Sequence, residues 1–190
     1  MSLLVLGLVL FLGVHSVSIV APGWRDSQVA ARGEAAWKGI YSVVAAIGLG
    51  LLIYGYGMAR QSPVVVYTPP TALRHLALLL LLPVFPLLFA AYLPGRIKSM
   101  ARHPMLLATK LWALGHLLAN GTLADVLLFG GFLVWAVLDR ISLKRRPARA
   151  LPAAPARPLN DLFALLGGLL VYALALMGLH AWLFGVAPLA

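Results

Sequence analysis

Imidazole side chains inside long apolar runs are where this sequence could do chemistry. It has five histidines and no cysteine, so disulfides, thiolate metal ligands, iron–sulfur clusters and thiol nucleophiles fall outside its repertoire. His15, in Val14-His15-Ser16, lies within the first apolar run beside Ser16 and Ser18. His116 lies late in a later run, with Ala113, Trp112 and Thr109 on its helical face and Asn120 one turn beyond. A single such histidine can simply pack and hydrogen-bond to a neighbouring helix. Two from separate helices have another use, as axial ligands of a b-type haem, because no rival shell of carboxylates or thiolates exists. Depth alone leaves the pairing open. His15 is about five residues from the cytoplasmic end of its run and His116 is near the outer end of its own. His75 and His180, also near outer ends, are equally good partners for His116.

Other polar residues offer weaker chemistry. In Arg102-His103-Pro104, helix-start amides, Arg102 and His103 could hold an anion such as a phosphate or carboxylate. A helix cap and topology charge explain the same residues. Lys110, about six residues further in, can snorkel to the cytoplasm or meet a buried anion such as a haem propionate. Asp125, Asp139 and Asp161 fall at span ends, and Asp26 and Glu34 in a loop. No buried carboxylate chain is therefore expected, which argues against a proton-coupled transporter. Tyr54, Tyr56, Gly48, Gly50, Gly55 and Gly57 read as close helix packing.

The elements that must position these residues are membrane helices. Hydrophobic residues make up 62% of the 190 and charged ones only 11%, too few polar groups to cover a soluble domain. Runs long enough to span lipid read at about 2 to 20, 38 to 59, 71 to 93, 104 to 119, 122 to 138 and 161 to 184. The expectation is an all-α, polytopic bundle of about six transmembrane helices in a single domain over residues 1–190. The first run begins without a basic residue and precedes no A-x-A site, so it reads as a helix rather than a signal peptide. Loops after spans one, three and five carry Arg25, Arg32, Lys38, Arg96, Lys98, Arg102, Arg140, Lys144, Arg145, Arg146, Arg149 and Arg157. The opposite face has only Arg60 and Arg74. Positive charge marks the cytoplasmic side, so both termini and the Asn120-Gly121 turn should be periplasmic. The net charge of +10 thus reflects topology, and nucleic acid is not an expected partner. Trp24, Trp37 and Tyr41 should anchor the first cytoplasmic loop at the interface. Pro147, Pro152, Pro155 and Pro158 make the stretch at about 141 to 160 an extended cytoplasmic linker. Spans four and five, at about 16 residues, are short, with Pro104 suited to a helix start and Asn120-Gly121 to a left-handed helix end.

The segments Arg102-His103-Pro104-Met105-Leu106-Leu107 and Leu111-Trp112-Ala113-Leu114-Gly115-His116-Leu117-Leu118-Ala119-Asn120-Gly121 resemble the signature of the NnrU family. Thr68-Pro69-Pro70, Tyr92-Leu93-Pro94-Gly95-Arg96-Ile97-Lys98, Lys38-Gly39-Ile40-Tyr41-Ser42 and Asp139-Arg140-Ile141-Ser142-Leu143-Lys144-Arg145-Arg146 extend the resemblance over nearly the whole chain. That family is associated with nitrite and nitric oxide metabolism. The same segment is similar to zeta-carotene isomerase, which uses haem b to isomerise a cis double bond of a polyene. The resemblance matches its haem histidines to His15 and His116, but Ala113 stands where the isomerase has a cysteine. Thiolate-based ligand exchange is therefore excluded, which weakens transfer of isomerase activity more than of haem binding. Arg102-His103-Pro104 also resembles the start of the cofactor region of isoprenylcysteine-type methyltransferases. Leu106 replaces their aromatic, and a proline and arginine linker replaces their acidic and tyrosine residues.

These readings lead to a bacterial inner-membrane haem b protein with His15 and His116 as axial ligands. It would act on or sense a hydrophobic small molecule or a nitrogen oxide within the bilayer, as a redox-dependent isomerase or a sensor. The rivals are a non-enzymatic accessory protein for denitrification, bound to nitrogen-oxide reductase components, and a methyltransferase-like protein.

Overall fold

Only a helix satisfies its own backbone across lipid, and the computed structural model, which describes residues 1–146 and 152–189, is built of helices. Pro147 and Arg149 of the expected linker lie outside the described residues. The helices are α1 (Ser2–Val20), α2 (Pro22–Arg32), α3 (Glu34–Ala59), α4 (Thr71–Leu81), α5 (Val84–Tyr92), α6 (Arg96–Ala101), α7 (Pro104–Ala119), α8 (Leu123–Ser142), α9 (Asn160–Leu174) and α10 (His180–Phe184). A π-helical turn, Ala175–Leu179, joins the last two, with Gly178 at a φ of 139°. Four stretches are long and apolar enough to cross a membrane: Ser2–Val20, Glu34–Ala59, Thr71–Tyr92 and Asn160–Phe184. Pro104–Ala119 is a shorter apolar helix.

Helix ends follow the apolar runs closely, with two informative departures. The stretch after span one is not a loop but α2, beginning on Pro22 as a proline at a helix start should. Trp24 and Trp37 meet edge to face at 5.8 Å, and the Arg25 guanidinium lies 6.0 Å from the Trp37 ring centroid. The third run is interrupted at Leu82-Pro83 because Pro83 has no N–H for the helical ladder.

The chain divides into two compact units. The first comprises Met1–Pro70 and the described part of His116–Ala148. Its core is the α1–α3 pair, where glycines bring two backbones into contact. A Cβ on Gly48 would lie 2.7 Å from the Phe11 nitrogen, and one on Gly55 would lie 2.7 Å from the Leu3 carbonyl carbon. Leu4, Leu8 and Leu52 are buried in the same seam. Gly50 and Gly57 play no such part, since a Cβ on either meets nothing within 4 Å, and Tyr54 is 64% exposed.

The second unit comprises Thr71–Gly115 and the described part of Arg149–Ala190. Here α5 packs on α9, with Gly168 against the Pro86 backbone, and Tyr172 donates to the Leu78 carbonyl at 2.8 Å. Val84, Leu87 and Ala108 form a buried cluster covered by Leu81, Leu88, Ile97 and Trp112. The start of α6 is held by Asp161, whose carboxylate accepts from the amides of Arg96 (2.7 Å) and Ile97 (3.0 Å). Asn160 donates to the carbonyls of Pro94 (2.8 Å) and Pro155 (3.0 Å), and the Ala154 amide donates to the Tyr92 carbonyl at 2.9 Å. The Tyr92–Lys98 motif is thus a docking strip for the chain that leads into α9.

Candidate functional site: an aromatic stripe between two histidines

Aromatic residues recur at Phe129, Phe132 and Trp135 of α8, three apart, so they form a stripe along one side of that helix. His15 and His116 both belong to the first unit, and each meets this stripe at a different level. His15, half-buried on α1, lies 6.0 Å from Trp135 at 89° and 5.1 Å from Tyr41 of α3 at 62°. Phe11, one turn back, is 4.3 Å from the His15 ring and 5.7 Å from Phe132. His116 stacks on Phe129 at 4.5 Å and 23°.

The Phe11 carbonyl decides the state of His15. It accepts from Nδ1 at 2.6 Å, and since a carbonyl cannot donate, the proton of the neutral ring is on Nδ1. Nε2 is then the nitrogen with a lone pair, which is how a metal-binding histidine is normally oriented. Trp135 adds an observation that the sequence could not carry: its Nε1 is buried with no hydrogen-bond partner among the described residues. An unpaired indole N–H at this depth costs about 1–3 kcal/mol, and it lies in the ring that faces His15.

At the His116 end the chain builds a polar cluster. Asp125 is only 5% exposed. The sequence places it at a span end, and it is indeed in the first turn of α8, yet it is buried as part of a capping box with Thr122. The Asp125 carboxylate accepts from Tyr56 Oη (2.6 Å), the Thr122 amide (2.9 Å) and the Thr122 hydroxyl (2.6 Å). Arg60 lies 5.9 Å from the Tyr56 ring centroid, and Tyr56 meets Phe129 edge to face at 6.4 Å. Residues Val64–Tyr67 clamp the turn between α7 and α8. Val66 and Tyr67 donate to the Gly121 carbonyl at 2.8 and 3.1 Å, Leu123 donates to Val64 at 2.8 Å, and Tyr67 Oη donates to the carbonyls of Leu117 and Asn120. Neither Asn120 nor Gly121 adopts the left-handed conformation expected of a helix-ending pair. Gly121 is required for a different reason, because a Cβ there would overlap the Tyr67 carbonyl.

The remaining candidates belong to the second unit. His75 is exposed. His180 Nδ1 donates to the Val186 carbonyl at 2.7 Å. Lys110 is half-buried on α7. Arg102 is exposed and has a φ of 58°, and the His103 amide donates back to the Ala101 carbonyl at 2.6 Å, which makes Arg102 the centre of a tight γ-turn joining α6 to α7. A non-glycine residue in that conformation is strained, and nothing in the sequence signals it.

In the first unit the imidazoles of His15 and His116 are the metal-ligand types that the aromatic stripe brings onto one helix face. No group of three or more His, Cys, Asp or Glu able to hold a metal exists among the described residues. A haem, which brings its own ring nitrogens, would need only imidazoles such as those of His15 and His116 to hold it. Phe129 and Trp135 are six residues apart, which separates the two histidine levels by about 9 Å along α8.

A protein-family model described as NnrU protein matches residues 3–188. Comparison with curated proteins gives no match, and neither does comparison with solved structures.

Proposed function

This chain belongs to the NnrU family over residues 3–188, and on that premise we propose that it is a haem b protein of the bacterial inner membrane with His15 and His116 as axial ligands. The observation that supports it most directly is His15 itself. Its Nδ1 is committed to the Phe11 carbonyl, its Nε2 keeps the lone pair a ligand needs, and its ring meets Trp135, whose buried N–H has no partner among the described residues. The proposal includes six spans, with α7 and α8 completing the four longer stretches, and periplasmic ends for the first and last helices. The excess of Lys and Arg in alternate loops supports that orientation.

A bound haem would supply one-electron chemistry and an affinity for nitrogen oxides or a polyene close to the iron. The protein's part is to hold the imidazoles, exclude water and orient the partner. Phe11, Tyr41, Phe129, Phe132 and Trp135 wall the two rings with apolar surface, so a hydrophobic or gaseous partner arriving from lipid meets no polar barrier there. Tyr56, whose hydroxyl donates to Asp125, brings a hydrogen-bonded proton to the Phe129 end of the stripe. Arg102, His103 and Lys110, in the second unit, carry no part of this proposal.

The test is an absorption spectrum of the protein purified in mild detergent after expression with haem supplied. A Soret band is expected, lost in His116→Ala and in His15→Ala, while His75→Ala and His180→Ala retain it. Wild-type protein that folds but carries no pigment would refute the reading and leave a non-enzymatic accessory role.

A further inference from the structure

At the end of the first unit remote from Asp125, α1, α2 and α8 enclose a cleft of about 300 Å³. Its walls are Ile19, Pro22, Leu138 and Ile141, and its polar side is Ser142, Arg145 and Arg146. The two arginines are not equivalent. Arg146 is fixed, with one terminal nitrogen on the Asp139 carboxylate and the other donating to the Ser18 carbonyl at 3.2 Å. Its Nε is buried and has no hydrogen-bond partner among the described residues. Arg145 is exposed and has no ion-pair partner among the described residues. Thus Asp139 is paired with Arg146, and Arg145 remains on the polar side of the cleft with Ser142.

The surface leading from the cleft is apolar. Val134, Val137, Leu138 and Ile141 are 58%, 41%, 50% and 46% exposed and follow one another at helical spacing along α8, a ridge fitted to a hydrocarbon chain. Trp24, Trp37 and Arg25 on the adjoining α2–α3 segment are the residue types of a membrane–water boundary, so the basic side of the cleft lies at headgroup level. The geometry points to a binding site for an anionic phospholipid, with the phosphate on Arg145 and Ser142 and an acyl chain along the α8 ridge. Free phosphate shares the headgroup chemistry, but it would leave the apolar walls and ridge unused.

Native mass spectrometry of the whole protein, released from micelles containing equal amounts of phosphatidylglycerol and phosphatidylcholine, tests this. Phosphatidylglycerol adducts should dominate. Arg145→Gln should lower the ratio of the two adducts by about five- to tenfold, the effect of one cation at a lipid surface. Lys144→Gln, with the same loss of charge one residue away and outside the cleft, should leave the ratio unchanged. Ile141→Asp, which places a charge on the apolar wall, should lower retention of both lipids and serves as a second variant should Arg145→Gln fold poorly. Equal retention of the two lipids, equal effects of Arg145→Gln and Lys144→Gln, or displacement of the bound lipid by millimolar inorganic phosphate would each overturn the assignment.

Discussion

Replacing Gly48 by alanine adds one methyl group where α1 and α3 touch, and the structure sets the size of the consequence. The new Cβ would lie 2.7 Å from the Phe11 nitrogen and 3.0 Å from its Cα, whereas ordinary contact begins at 3.4 Å, so the α1 backbone must retreat by about 0.7 Å. A gap of 0.5–1 Å forfeits about a quarter to a half of each contact's dispersion well of ~0.1–0.2 kcal/mol. Over a few tens of atom pairs along this seam the loss is about 1–3 kcal/mol, the range observed for overpacked interiors. For a chain of this length the unfolding midpoint should fall by about 2–4 °C per kcal/mol, hence about 2–12 °C in all. Gly50→Ala is the internal comparison. Its Cβ meets nothing within 4 Å, so only the helix preference for alanine, up to about 1 kcal/mol, acts, and the midpoint should hold or rise. Thermal unfolding of both variants in the same detergent, followed by tryptophan fluorescence, reads the difference. Equal shifts for the two variants would refute the close backbone contact. Because the Phe11 carbonyl also holds His15 Nδ1, Gly48→Ala should weaken any haem spectrum as well, and Gly50→Ala should not.

Three further outcomes follow from named contacts. Asp125→Ala removes the α8 capping box and leaves Tyr56 Oη without its acceptor, and should cost about 1–3 kcal/mol in the same unfolding assay. Asp161→Ala exposes the amides of Arg96 and Ile97 and should destabilise the start of α6 by about 1 kcal/mol, seen as faster hydrogen exchange at those two amides. Tyr67 lies in the loop after α3, where burial first and the Asp125 carboxylate second raise its phenol above the ordinary value of 10.0. An acid whose folded-state pKa is raised is stabilised in its protonated form, so its contribution is complete below about pH 10 and is lost as pH rises through the folded value. Tyr67→Phe should flatten that alkaline slope, and an unchanged slope would show that the Tyr67 clamp does not titrate with folding.

Much of the candidate site was legible in residue types. Histidines inside apolar runs are uncommon because burying them has a cost, so His15 and His116 were visible as candidates from position alone. The spacing puts Asp125 at a span end but does not show its burial, since one-dimensional spacing cannot tell a helix cap under a clamping loop from one in water. Trp135, Phe132 and Tyr56 were missed as neighbours of those residues because an aromatic at helical spacing reads the same whether it faces lipid or an imidazole.

The sequence by itself determined that the protein is helical and membrane-embedded, and where most helices begin and end. Those properties depend on local apolar length and on each helix satisfying its own backbone. Only the tertiary structure decided which glycines matter. Gly48 and Gly55 face α1 while Gly50 and Gly57 face open space, a distinction set by helix rotation, and Gly121 serves Tyr67 rather than a left-handed turn. It also decided which nitrogen of His15 carries the proton and that Asp139 pairs with Arg146 rather than Arg145, because both depend on side-chain rotamers that packing selects and residue order does not.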